Sequence, residues 1–365
     1  MTPTEELALE LLAIESVIGE ERAIADHCEA WLRERRVYGL VRAGDNLAVQ
    51  PREFRPGKKR VLLLGHLDTV PRAHGDVNAP RLSTDLIHGL GASDMKCADA
   101  VLLRLCERAV VEEARHDLAI VLYAREEGSY AESGMPEILS AAPGCFAETD
   151  LAIAMEPTDN RFELGCLGTM HARVRFRGQR AHSARPWQGA NAIHRAAPLL
   201  TALGALEPRD CEYFGLVFRE VCSATMIEFE GARNVVPGAC VVNLNFRFAP
   251  DRSSDDAVAW VHDFVRAAVG EEAFVDHVDI EVVDVCPAGR VCGDNELLQE
   301  LRKLAPQQEV VAKQAWTDVG RLSHFGLDAI NFGPGSTSQA HQIGEFASRA
   351  MLAESERILM QWLWG

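Results

Sequence analysis

Apolar residues recur at helical spacing between about Thr4 and Arg36, at Leu7, Leu11, Leu12, Ala23, Ile24 and Trp31. A break near Gly19 divides the pattern, which predicts two helices. The pattern then changes. A short strand at Asn46–Gln50 leads to Val61–Leu64, a continuous apolar run of the kind found in strands buried on both faces. Similar runs cover Leu118–Tyr123, Leu151–Met155 and Ala329–Phe332. Between Lys96 and Val111, Ala100 and Leu103 with their neighbours Val101, Leu102 and Leu105 predict a helix packed on a sheet. Strands alternating with helices imply an α/β fold: a mostly parallel, mixed sheet flanked by helices, with ligands outside the carboxyl ends of its strands.

The texture differs between residues 168 and 283. Met170–Phe176 and Val241–Phe248 alternate polar and apolar residues, the latter with Arg247 among apolar neighbours. Ala190–Leu206 and Ser254–Val269 read as helices, and Val278–Val283 as a strand. This βαβ-type alternation is long enough for an inserted α+β domain with its own small core. The expected organisation is a catalytic domain in two parts, residues 1–167 and 284–365, interrupted by the insert at 168–283. A chain of 365 residues exceeds the usual size of a single core, which agrees with two domains. We find no internal repeat.

A formal charge of −17 speaks against nucleic acid and anionic membrane as partners, since phosphate binding needs a basic surface. The ten cysteines stand singly with no C-x-x-C pair, which argues against zinc ribbons and redox motifs. Acidic Glu5 and Glu6 occupy positions where an export signal would be basic, and no stretch approaches the length of a membrane span. A reducing cytoplasm is the expected location.

Chemistry gathers where apolar runs end. Val61–Leu64 runs into Gly65-His66-Leu67-Asp68, Leu118–Tyr123 into Glu126-Glu127, and Leu151–Met155 into Glu156. Asp94 precedes the helix that follows Lys96, and His341 follows the Ala329–Phe332 run. Imidazole and carboxylate donors without thiolate suit zinc, cobalt or manganese, and a pair of such ions supports hydrolysis. Residues i and i+2 of a strand point the same way, so Asp68 is placed to accept the outer ring N–H of a metal-bound His66. Of the adjacent glutamates, whose side chains diverge, we assign Glu126 as general base and Glu127 as ligand. Each position also has an ordinary alternative. His66 and Asp68 could be a core histidine beside a cap, Asp94 a helix N-cap, Glu126-Glu127 an exposed acidic turn, Glu156 a strand terminator and His341 a loop histidine. The order H-x-D, D, E-E, E, H along one chain favours the shared site.

These motifs resemble those of the M20 family of dinuclear zinc hydrolases over nearly the whole chain. Gly65-His66-Leu67-Asp68-Thr69-Val70-Pro71 is similar to its first zinc motif, Ser93-Asp94-Met95-Lys96 to its bridging-aspartate motif, and Glu126-Glu127 to its base-and-ligand pair. The resemblance implies a zinc-exopeptidase-like fold and two Zn2+ ions, with Co2+ able to substitute. In it Asp94 bridges both ions, His66 and Glu156 complete one site, Glu127 and His341 complete the other, and the peptide after Asp94 is cis. It further implies that the insert is a lid and dimerisation domain. Gly178-Gln179-Arg180-Ala181-His182-Ser183 is similar to the family's histidine loop, so His182 would stabilise the oxyanion from the partner subunit of a homodimer. Asn234, Arg247, Thr317 and Gly335 match its substrate-contacting positions. A solvated loop histidine and a cross-strand ion pair are the plain alternatives for His182 and Arg247. The implied substrate is a small N-acyl amino acid, first N-succinyl-LL-2,6-diaminopimelate, with acetylornithine deacetylation or carboxypeptidase action as alternatives. Trp316-Thr317-Asp318-Val319-Gly320-Arg321, Asn331-Phe332-Gly333-Pro334-Gly335 and Gly165-Cys166-Leu167-Gly168-Thr169 are similar to the branch of the family typified by actinobacteria. The last departs from the arginine-bearing version of the proteobacterial branch, which removes one expected contact with a substrate carboxylate.

Overall fold

The computed structural model describes residues 1–50 and 54–365, which form two compact units. The first comprises residues 1–165, 290–313 and 317–365, and the second comprises residues 166–289 with 314–316.

The first unit is built on an eight-stranded mixed sheet. Its order is Leu40–Ala43, Asn46–Val49, Asp117–Tyr123, Arg60–His66, Leu151–Ala154, Ala329–Asn331, Phe162–Leu164, Val310–Ala312. The central strands Asp117–Tyr123, Arg60–His66, Leu151–Ala154 and Ala329–Asn331 are mutually parallel, and antiparallel pairs lie towards the edges. Leu62, Leu63 and Leu64 are fully buried, as a strand covered on both faces requires. Helix Cys97–Val111 packs on Arg60–His66 and is covered in turn by Pro3–Leu12 and Arg349–Trp364. A Cβ on Gly65 would collide with Asp99 and press on Leu102 and Met95, so glycine lets this helix approach the strand end that carries His66. The first helix starts with a capping box in which Thr2 and Glu5 satisfy each other's backbone N–H groups.

The second unit is a five-stranded sheet ordered Arg209–Tyr213, Leu216–Phe229, Ala239–Phe248, Gly168–Arg177, Val278–Cys286. Every hydrogen-bonded pair is antiparallel, which corrects the βαβ-type expectation. Ala239–Phe248 and Val278–Cys286 do run in the same direction across helix Ser254–Val269, but Gly168–Arg177 lies between them. Helices Ala192–Gly204 and Ser254–Val269 cover one face, packing Ala196, Leu199, Val261 and Val265 against Ala172, Val174, Val242 and Phe246. Strict alternation then puts Thr169, His171, Asn243, Asn245 and Arg247 on the opposite face. Where the chain enters and leaves this unit, Cys166 and Gly289 exchange two backbone hydrogen bonds. The periodicity reading omitted Leu216–Phe229, which buries Phe218, Glu220 and Cys222 but is exposed along its last seven residues, so its alternation stops halfway.

All ten cysteines are free and buried. No helix among the described residues is long and apolar enough to cross a membrane.

Candidate metal centre

The first unit brings His66, Asp94, Glu126, Glu127, Glu156 and His341 together. Three sets have ligand atoms within 4.8 Å of one another: His66 with Asp94 and Glu156, Asp94 with Glu127 and His341, and His66 with Glu126 and Glu127. Sheet geometry explains this. His66 ends one parallel strand, the Glu126-Glu127 turn follows its neighbour on one side, and Glu156 follows its neighbour on the other.

Asp94 lies at the middle of the cluster. Its Oδ1 is 3.0 Å from His66 Nε2, and its Oδ2 is 3.7 Å from His341 Nε2. His341 Nε2 is also 2.9 Å from Glu127 Oε1. Neighbouring donors on one tetrahedral ion at about 2.0 Å stand roughly 3.3 Å apart, so these separations suit shared cations. The Asp94–Met95 peptide is cis.

The ring of His66 is oriented from behind. Its Nδ1 lies 3.1 Å from the Asp68 main-chain carbonyl, which leaves Nε2 turned towards Asp94. The Asp68 carboxylate, expected to accept this N–H, is farther away, with Oδ1 at 3.6 Å. It accepts instead the backbone N–H groups of Glu126 and Glu127 at 3.0 and 2.9 Å. The reason is that the turn at Arg125, where φ is 60°, aims two successive amides at Asp68, and charge-assisted bonds claim its oxygens. Asp68 thereby couples the histidine to the turn bearing both glutamates.

The electrostatics are those of a site short of positive charge. Burial pushes the Glu156 carboxyl up to about 8, with the Asp94 charge adding to the effect. Burial likewise drives Glu126 well above the carboxylate range, reinforced by Glu156 and Glu127. Asp94 is held below its ordinary value because the His66 hydrogen bond and charge outweigh its burial. The Glu127 hydrogen bond raises His341 to about 9. Among the described residues, Glu156 Oε1 is buried without a hydrogen-bond partner. Crowded carboxylates, a partnerless buried oxygen and two imidazoles fit divalent cations as the missing counter-charge. His66, Asp94 and Glu156 could hold one ion, and Asp94, Glu127 and His341 a second.

Two supporting residues escaped the sequence reading. Glu345 is buried and accepts the N–H groups of Gly91, Ser93 and Asp94 at 2.8, 2.7 and 3.0 Å, fixing the loop that carries Asp94. Burial raises it to about 7 despite those bonds. Its signal in the chain, a glutamate four residues after His341, is indistinguishable from a solvated loop residue. Lys313 is buried with Glu163 at 2.7 Å and reaches the Pro157 carbonyl at 3.4 Å, beside Glu156.

The remaining expected site residues are placed as follows. Thr317 is buried in the first unit, just before helix Val319–His324. Gly335 packs so closely on the Ser93 carbonyl and Pro157 that no side chain fits there, which brings its loop against those of Asp94 and Glu156. His182 and Asn234 are exposed in the second unit, side by side where Ala181–His182 pairs with Val235–Val236 and Ser183 N–H donates to the Asn234 carbonyl. Arg247 is half-buried on the open face of the second sheet.

Comparison with known proteins agrees with this architecture. The chain is 38% identical over 362 residues to a Mycobacterium tuberculosis protein that carries a provisional name as succinyl-diaminopimelate desuccinylase, covering 99% of this chain and 98% of that protein. It is 34% identical over 359 residues to the succinyl-diaminopimelate desuccinylase of Corynebacterium glutamicum, covering 98% and 95%. An M20 family metallo-carboxypeptidase from Sulfolobus solfataricus shares the fold, with a TM-score of 0.77, 14% identity and 99% and 98% coverage. Residues 62–364 match the model of peptidase family M20/M25/M40, and the chain is a hydrolase belonging to that family.

Proposed function

We propose that this hydrolase removes the succinyl group from N-succinyl-LL-2,6-diaminopimelate, in lysine and diaminopimelate biosynthesis in the cytoplasm, with two zinc ions. The observation that carries the reading is Asp94, whose two oxygens face different histidines. The names borne by the relatives at 38% and 34% identity supply the substrate.

Two divalent ions in this donor set would polarise the amide carbonyl and lower the pKa of a nearby water. The protein's own groups then complete the reaction. Glu126, whose backbone Asp68 pins, takes a proton from the attacking water and returns it to the leaving nitrogen. His182 Nδ1 accepts the Ala184 N–H at 3.1 Å, so a neutral ring carries its proton on Nε2, as an oxyanion donor must. Asn234, Arg247, Thr317 and Gly335 bind and orient the substrate, and the guanidinium of Arg247 is shaped for a carboxylate.

The reading includes a homodimer joined through the second unit, with His182 acting in the partner's site. Strand Leu216–Phe229 supports this. Arg209–Tyr213 pairs with only its first part, and Met226, Ile227 and Phe229 are exposed beyond. An open apolar edge of that kind invites pairing with a second copy. Sedimentation should give twice the chain mass, and a fully active monomer would contradict the dimer.

One observation favours a second reading: the Gly165–Thr169 segment lacks an arginine, so an acetylated substrate such as acetylornithine, or a peptide, remains a competitor. Amine release from succinyl-diaminopimelate, acetylornithine and a dipeptide, with and without added zinc, discriminates. The proposal expects zinc-dependent turnover with the succinylated substrate preferred, and preference for either competitor would overturn it.

A further inference from the structure

The open face of the second unit's sheet carries a chain of polar side chains with a defined direction. Arg247 heads it. Its Nε donates to Asn245 Oδ1 at 3.0 Å, and among the described residues no carboxylate forms an ion pair with it. The Asn245 amide nitrogen then reaches Thr169 Oγ1 at 3.3 Å and His171 Nε2 at 3.1 Å. His171 Nδ1 in turn faces the side-chain amide of Asn243 at 3.3 Å, and that amide lies 2.7 Å from Thr225 Oγ1.

Donor and acceptor roles run one way along this chain. An arginine can only donate, so Asn245 must present its oxygen to Arg247 and its NH2 group to His171. His171 therefore accepts at Nε2 and, when neutral, carries its proton on Nδ1. Asn243 presents its amide nitrogen to both His171 Nδ1 and Thr225 Oγ1. The two ends of an asparagine amide have nearly the same shape, and turning this one end for end lets its oxygen accept the His171 proton and the Thr225 hydroxyl. Neutral His171 fits its surroundings, because burial and the Arg247 charge both lower its pKa, against Asp284 on the adjoining strand. The consequence is a guanidinium tethered by Nε, whose two terminal amino groups make no hydrogen bond among the described residues and can meet an anion end-on.

We infer that Asn245 and His171 are positioning residues that hold Arg247 ready for a substrate carboxylate, making this ladder a specificity determinant. The inference rests on the proposed role of Arg247. A loose arginine must give up side-chain freedom on binding, whereas a tethered one has already done so. Thr169, which sits opposite Arg247 in the sheet, takes part by accepting from the Asn245 amide.

Steady-state kinetics of the zinc-loaded full chain, on succinyl-diaminopimelate and acetylornithine, test this with four variants. Arg247→Met should raise KM for the carboxylate-recognising substrate by roughly a hundredfold, and Asn245→Leu and His171→Phe by about tenfold, with kcat little changed. His171→Gln, which keeps an acceptor and a donor, should restore most of the loss. An effect confined to the succinylated substrate places the acyl carboxylate on Arg247. An effect on both substrates places the amino-acid carboxylate there, and either result supports the ladder. Wild-type KM in Asn245→Leu and His171→Phe, or a fall in kcat and Tm that His171→Gln does not rescue, overturns it. Calorimetric titration with succinate needs no turnover and separates this inference from the proposed function. Weakened succinate binding in Arg247→Met and His171→Phe supports the ladder even in a chain that fails to hydrolyse succinyl-diaminopimelate, and equal binding by all the variants and the unaltered chain refutes it.

Discussion

The two halves of the candidate centre are built differently. His66, Asp94 and Glu156 are buried, with the His66 side chain only 1% exposed. His66 ends a central parallel strand, Glu156 follows the next one, and Glu345 pins the Asp94 loop by three backbone bonds. The other half meets solvent: His341 has a side chain 51% exposed, on a turn where its φ is 61°. Asp68 holds the Glu127 backbone N–H, and the Glu127 side chain, 9% exposed, meets His341. Core packing thus fixes one half, and turn geometry fixes the other. A cation should bind the first half more tightly and leave the second more readily, with Asp94 common to both.

Glu126 stands between the halves, and removing its base function should give the largest effect. Glu126→Gln is expected to lower kcat by a thousandfold or so while both metal equivalents remain bound, measured by turnover alongside metal analysis. Unchanged kcat would reject its assignment.

His66→Ala and His341→Ala probe the asymmetry itself. His66→Ala leaves Asp94 and Asp68 without their buried partner and should cost on the order of 3 kcal/mol in denaturant unfolding, besides losing metal. His341→Ala should lose one metal equivalent and activity, with stability within about 0.5 kcal/mol of the parent. Equal destabilisation by the two would erase the distinction.

Glu345→Gln sharpens the comparison by loosening only the loop beneath Asp94. The amide accepts fewer of the three N–H groups, and metal affinity should fall by about tenfold, read by chelator competition. An unaltered affinity would show that the loop holds its shape unaided.

The smallest effect should come from a pair remote from both halves. The Arg349 side chain bonds Glu5 at 2.7 and 3.1 Å and holds its carboxyl below the ordinary value. A carboxyl whose folded pKa is depressed adds stability above its unfolded pKa and loses it as pH falls through the folded one. Glu5→Gln should therefore destabilise by about 1 kcal/mol at neutral pH, with the difference vanishing in acid and metal binding unaffected.

The same division governs what the sequence reveals. The buried half was legible because Val61–Leu64 and Leu151–Met155 are unbroken apolar runs whose first polar residues are His66 and Glu156. His341 was marked only by its place after the Ala329–Phe332 run, since a loop histidine has no periodicity of its own. Glu345 and Lys313 were missed because their partners, the Gly91–Asp94 amides and Glu163, are far away in the sequence. Short strands such as Phe162–Leu164 and Val310–Ala312 carry too few residues to show a period, yet they complete the sheet. Asp68 taught a subtler lesson: its place behind His66 was readable, but the bonding of its carboxylate to the glutamate turn required the strand next door.

The central claim is that Asp94 joins two cations, one in each half. Anomalous scattering at the zinc edge, from crystals grown with zinc, tests it directly. The expected result is two peaks about 3.5–4 Å apart, one beside His66 and Glu156 and one beside Glu127 and His341, both in contact with Asp94. A single peak at full occupancy, or peaks away from Asp94, would contradict it.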